Sequence, residues 1–179
     1  MTKKKKILAF RFSAMGDVAM VVPVIKSVVK QNPDIEIIMV SRPFFKAFFS
    51  NIPQVQFIGV DLKKYKGILG LFQLFRELKK NKPTEIADLH DVLRTKILRI
   101  FFKLSGYKVA VINKGRKEKK ALTALKNKTL KPLKSTHQRY ADVFEKLGVS
   151  VKIILDINTS VNNLNPARKL TLLYFGYYE

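Results

Sequence analysis

The sequence predicts an α/β fold, a parallel sheet wound with helices on both faces, and three observations lead there. Short apolar runs of strand length recur at residues 7–12, 35–41, 55–61, 85–89 and 108–112. Stretches with the three-and-four spacing of an amphipathic helix alternate with them. The runs are mostly apolar throughout, as in strands covered on both sides. Strand and helix alternating in this way select a right-handed, doubly wound parallel sheet.

The first strand, 7–12, ends in Ser13-Ala14-Met15-Gly16, small residues that allow a sharp turn, and Asp17 then opens a helix expected over 17–31. Pro23 within it predicts either a kink or a helix that begins anew at the proline. Asn32-Pro33-Asp34 ends that helix, and the strand 35–41 leads to Arg42-Pro43 and a short helix, 44–49, with four phenylalanines. If that helix is amphipathic, about two of the rings reach the core and the others face outward. After the third strand, Ile68, Leu69, Leu71, Phe72, Leu74, Phe75 and Leu78 recur as one buried helix face, with Arg76, Lys79 and Lys80 outside.

The fourth strand ends at His90-Asp91, on the same edge of the sheet as Asp17, and a helix over 93–105 carries Arg94, Lys96, Arg99 and Lys103. The fifth strand follows at 108–112, then a basic helix or loop over 116–128 and a connection over 129–135. A helix opened by Thr136-His137-Gln138-Arg139 stops at Gly148, and 152–156 reads as one more strand. Residues 158–165 form a polar linker, and 167–179 close no helix. Residues 1–157 are therefore expected as one domain, and 158–179 as a linker and the start of another.

An apolar fraction of 47% over 179 residues supports a real core. The chain has no cysteine, which excludes disulfides and thiolate catalysis, and its two histidines are too few for a metal site, so no metal is expected. The basic flank Lys3 to Lys6 precedes too short an apolar run for an export signal, and no stretch reaches the ~18–20 apolar residues of a membrane span. A formal charge of +22, with Glu118 alone opposing the basic residues between Lys103 and Arg139, attracts polyanions. No nucleic-acid reading motif or aromatic platform accompanies that charge, so no specific nucleic acid is expected as a partner.

Asp17 stands where a carboxylate is either a helix cap or a catalyst, because helix amino termini at a strand's carboxyl edge present unpaired N–H groups to ligands. The turn lacks the GxGxxG pattern, which disfavours a dinucleotide-binding dehydrogenase, and Ser13 has no His partner in sequence for serine-hydrolase chemistry. The stretch Ser13-Ala14-Met15-Gly16-Asp17-Val18, followed by an apolar helix with Pro23, resembles the amino-terminal signature of the family 9 glycosyltransferases, the lipopolysaccharide heptosyltransferases. Asp88-Leu89-His90-Asp91-Val92-Leu93-Arg94-Thr95 and His137-Gln138-Arg139-Tyr140-Ala141-Asp142-Val143-Phe144 are softer matches, and the resemblance runs from about Ile7 to about Leu155.

That resemblance implies a Rossmann-like domain, the amino-terminal half of a GT-B glycosyltransferase, in which the first domain holds the sugar acceptor and the second the sugar nucleotide. It implies Asp17 as general base in an inverting transfer of heptose from ADP-heptose to a lipopolysaccharide core or related glycolipid. Ser13, Met15, Gly16, Arg42, His90, Arg94, Lys96, Arg116 and Arg139 are the candidate acceptor-binding residues. No cofactor is implied, since the donor binds mainly in a second domain for which the chain has no room, and the chain alone is expected to be inactive. The outward phenylalanines of 44–49 would line an acceptor cleft or dip into a membrane surface. The expected setting is cytoplasmic, peripheral at an anionic inner membrane face. The reading of a different class is a non-catalytic basic module that docks on anionic lipid or nucleic acid.

Overall fold

The computed structural model describes residues 4–123 and 132–154. Its sheet has five strands in the order β3-β2-β1-β4-β5, every pair parallel. The strands are β1 (Lys5–Phe10), β2 (Ile35–Ser41), β3 (Val55–Gly59), β4 (Glu85–Asp88) and β5 (Lys108–Val111). The helices are α1 (Met15–Gln31), α2 (Gly67–Lys79), α3 (Leu93–Leu104), α4 (Arg116–Leu122) and α5 (Thr136–Lys146). The period of two along the strands sorts the core into two layers. Ile7, Ala9, Ile37, Met39 and Ala87 pack with α1 and α5, whereas Leu8, Phe10, Ile38, Val40 and Ile86 pack with α2 and α3. The α/β sheet with helices on both faces is the predicted fold.

Several local expectations need correcting. Helix α1 begins at Met15 and runs unbroken through Pro23, so no new helix starts there. Proline removes only the bond to the carbonyl one turn earlier, and one turn later Ser27 donates its hydroxyl to the Pro23 carbonyl at 2.8 Å. The phenylalanine segment is a 3-10 turn, Pro43–Phe48, with Phe45 and Phe49 buried and Phe44 78% exposed. Two of its rings therefore reach the core fully, as expected. On α2 only Leu71, Leu74, Phe75 and Leu78 are buried; Ile68, Leu69 and Phe72 are exposed, because a helix on a sheet buries one side of itself and the apolar stripe here is wider than that side.

Helix α5 does end at Gly148, whose φ of 77° suits a glycine stop. Residues 152–154 form no strand. Their backbone is held instead by α1 side chains: Lys152 N–H donates to Gln31 Oε1 (2.9 Å), Gln31 Nε2 donates to the Lys152 carbonyl (2.6 Å), and Ile154 N–H donates to Ser27 Oγ (2.9 Å). Part of the basic stretch, 116–122, is helical. The expectations for 124–131 and for 155–179, including the linker and the second-domain start, lie outside the described residues.

Candidate active site

The strand order reverses direction between β1 and β4, and in open α/β sheets the crevice at such a point, beyond the strands' carboxyl ends, is where ligands bind. Four segments converge there: the β1 exit (Arg11 to Ser13), the first turn of α1 (Asp17), the β4 exit (Asp88 to Asp91) and the β5 exit (Asn113, Lys114). Asp17 sits in the third position of α1, its Oδ2 accepting the Ala14 N–H at 3.3 Å. The cap reading is therefore true as far as it goes. The same Oδ2 forms an ion pair with Arg11 Nη2, and Oδ1 has no partner among the described residues. The carboxylate side chain is 36% exposed while that of Arg11 is buried, so a fixed cation backs a carboxylate whose other oxygen faces solvent.

Arg11 is itself held from three sides. Its Nη1 donates to the Leu89 carbonyl at 2.8 Å, its guanidinium lies 5.8 Å from the centre of the Tyr140 ring, and Ser41 donates its hydroxyl to the Arg11 carbonyl. Tyr140, fully buried, donates its hydroxyl to the Asp17 backbone carbonyl at 3.3 Å, and burial pushes that phenol up to about 12. It stays a donor throughout the physiological range.

His90 lies opposite, its Nε2 3.4 Å from Ser13 Oγ and its ring edge against Phe12, with Nδ1 buried and unpartnered among the described residues. Burial, then the nearby charges of Arg11 and Lys114, push the imidazole down to about 4, so it is neutral at pH 7. Behind it Asp88, fully buried at the end of β4, accepts the N–H groups of His90 (3.0 Å) and Asp91 (2.8 Å) and pairs with Arg99 at 3.2 Å. Arg99 also reaches Asp91 Oδ1 at 3.0 Å. Lys114 donates to the Asp91 carbonyl at 3.2 Å, and burial lowers its ammonium from the usual lysine range.

Next to this crevice, at the ends of β2 and β3, an open cleft of about 470 Å³ is lined by Arg42, Phe44, Asp61, Lys63 and Arg94 among others. Arg42 and Arg94 form no ion pair with a described residue, so the cleft presents cations and an exposed ring. Of the residues singled out from sequence, Asp17, Ser13 and His90 converge on the crevice, Met15 and Gly16 are exposed on its turn, and Arg42 and Arg94 line the cleft.

Three others lie apart. Lys96 is on the outer flank of α3, and Arg116 is exposed at the start of α4. Arg139 is buried and committed to the chain itself: to Glu118 at 2.6 Å, to the Asn113 carbonyl at 3.1 Å and to the Lys134 carbonyl at 3.2 Å. Gly115, at φ 63°, lies against its guanidinium, where a Cβ would collide. Sequence reasoning missed Arg11, Tyr140, Lys114 and the Asp88–Arg99 pair. Arg11 had one visible signal, a charge closing an apolar run just ahead of the turn.

The chain matches no family model and no curated protein. Among solved structures it is similar to a glycosyl transferase family 9 protein from Veillonella parvula, at 20% identity and a TM-score of 0.58, over 90% of this chain and 49% of that one. It is also similar to E. coli heptosyltransferase WaaC bound to ADP-2-deoxy-2-fluoro heptose, at 15% identity and a TM-score of 0.61, over 90% of this chain and 55% of that one. The chain shares the α/β, Rossmann-like fold of these glycosyltransferase structures. The chain spans about half the length of these structures, and the family its first motif resembles is among them. Among the described residues no helix is long and apolar enough to cross a membrane, and no cluster of three His, Cys, Asp or Glu residues could hold a metal ion.

Proposed function

We propose that these residues form the acceptor-binding half of an inverting glycosyltransferase that moves heptose from ADP-heptose to a lipopolysaccharide core or related glycolipid. The observation that carries the reading is Asp17 at the switch point, pinned through Oδ2 by Arg11 and the Ala14 N–H while Oδ1 is open. An acceptor hydroxyl placed at Oδ1 loses its proton to that oxygen as its own oxygen bonds to the anomeric carbon. ADP leaves from the opposite face with the bonding pair, so the configuration inverts. A positioned base of this kind is worth about 10² to 10⁴ in rate.

Arg42 and Arg94 suit the phosphates or acidic sugars of such an acceptor, because a guanidinium pairs with them through two parallel hydrogen bonds. Ser13 and the neutral His90 offer the acceptor hydrogen bonds beside the base. The donor's diphosphate is assigned to a second domain, and the acceptor to an anionic membrane face on the cytoplasmic side. The similarity in fold to E. coli heptosyltransferase WaaC supports this choice of chemistry.

The test is transfer of labelled heptose to a heptose-free lipopolysaccharide acceptor by the gene's product purified from its native cells, wild type against Asp17→Asn. Transfer is expected to fall by about 10² to 10⁴ while acceptor affinity and folding stay unchanged. Full transfer by Asp17→Asn would remove Asp17 from the role of base.

A further inference from the structure

The outward surface of α2 and α3 departs from what a soluble helix pair presents. On α3, the exposed Leu93, Ile100 and Leu104 fall at offsets of seven and eleven, one stripe along the helix, and the buried residues Thr95, Leu98 and Phe102 lie on the opposite side. The stripe therefore points away from the sheet. On α2, Leu69 and Phe72 are exposed beside it, and the rings of Phe72 and Phe101 meet edge to face at 5.4 Å, joining the two helices into one apolar surface. Leu69 is 85% and Leu104 82% exposed. So many large apolar side chains in one patch mark a surface that is covered in use.

The rim is cationic. Arg76 stands on α2 and Lys80 just past its end, and Lys96 and Lys103 flank the α3 stripe, none of them in an ion pair with a described residue. Glu77, the acid on α2, is engaged by the Tyr65 hydroxyl at 2.6 Å and by Gln73 at 3.1 Å. Aliphatic and aromatic side chains at the centre with lysines and arginines around them match an anionic bilayer, whose acyl boundary takes the former and whose phosphates take the latter. We infer that the α2–α3 face lies on an anionic lipid membrane, parallel to its plane, and that this docking sets the height of the site above the bilayer.

The geometry gives the docking a purpose. Both helices begin at the sheet's carboxyl edge, so the patch residue Leu93 adjoins Arg94 of the cleft, and Lys63 of the cleft precedes α2. A molecule resting on this face opens its cleft beside the headgroups, where a lipid-borne sugar would be reached without leaving the membrane. The inference rests on the proposed glycolipid acceptor only for that purpose. Plain phospholipid vesicles, which carry no sugar acceptor, test it separately.

The chain has no tryptophan, so single reporters are informative. Leu104→Trp is expected to shift its emission to the blue on vesicles of phosphatidylglycerol and phosphatidylcholine, and to be quenched by brominated lipid. Asn51→Trp, on a distant loop, should do neither. In co-sedimentation, the triple variant Leu69→Ser, Ile100→Ser, Leu104→Ser should lose about tenfold or more in partitioning at unchanged urea stability. Arg76→Gln with Lys96→Gln and Lys103→Gln should lose more than Lys117→Gln with Lys119→Gln and Lys120→Gln, which remove equal charge from α4. Equal losses from the two charge sets, or unchanged binding by the serine variant, would reduce the effect to net charge and overturn the inference. A dimer that dissociates in the serine variant, with no reporter response to lipid, would overturn it in favour of a second copy of the chain. Asp17→Asn should bind vesicles like wild type whether or not it transfers sugar, so this result and the transfer assay fail independently.

Discussion

At the β1–β4 junction both arginines are matched within the chain, Arg11 by Asp17 and Arg99 by Asp88 and Asp91. At the β2–β3 end of the same edge, Arg42 and Arg94 border an open cleft and pair with no described residue. The difference separates arginines that build the site from arginines that are available to bind at it. Where a guanidinium is buried, an unpaired charge would cost several kcal/mol and the fold must supply its partner; where it is exposed, water screens it and a ligand can claim it.

Substitutions can break or sharpen this contrast. The largest effect is expected from Asp88→Ala, which leaves two N–H groups and Arg99 without their fully buried acceptor. A loss of about 3 kcal/mol in urea unfolding is expected, and a loss under half of that would mean the junction is not held by its ion pairs. Next comes pH. Above pH 6.5 His90 is neutral in both the folded and the unfolded chain, but from 6.5 down to about 4 only the unfolded chain takes up the proton. Stability contributed by the buried neutral ring is therefore whole above pH 6.5 and drains away as pH falls to about 4, by up to about 3 kcal/mol. His90→Gln should flatten that part of the stability–pH curve; an undiminished slope would assign it to another group.

The smallest stability effects belong to the cleft. Arg42→Ala and Arg94→Ala should each change unfolding free energy by less than about 0.5 kcal/mol, while each weakens binding of a phosphorylated sugar about tenfold in calorimetry. Destabilisation comparable to Asp88→Ala would erase the distinction between the two ends.

The contrast also explains what was legible in the sequence. Apolar runs and their spacing are local, and they located all five strands and the helical segments between them. The turn before Asp17 is local too. Partnership is not: Tyr140 reaches Asp17 across 123 residues and Arg11 reaches Leu89 across 78, and no spacing rule connects them. Arg139 and Arg42 look alike as letters, and only the fold commits the first to Glu118 and leaves the second exposed. The 152–156 run has strand composition, yet Gln31 and Ser27 offer the chain at 152–154 hydrogen bonds before any sheet edge does. The stripe on α2 read as wholly buried because periodicity reports how apolar a face is and not what covers it.

Strand β1 is hydrogen-bonded along both edges, to β2 and to β4. Its amides cannot meet deuterium by fraying from a rim, so their exchange must wait for the sheet to come apart. Arg11 leaves the end of that strand and grips Asp17. The carboxylate is thus tied to a strand held along both edges, and its position is set before any ligand arrives.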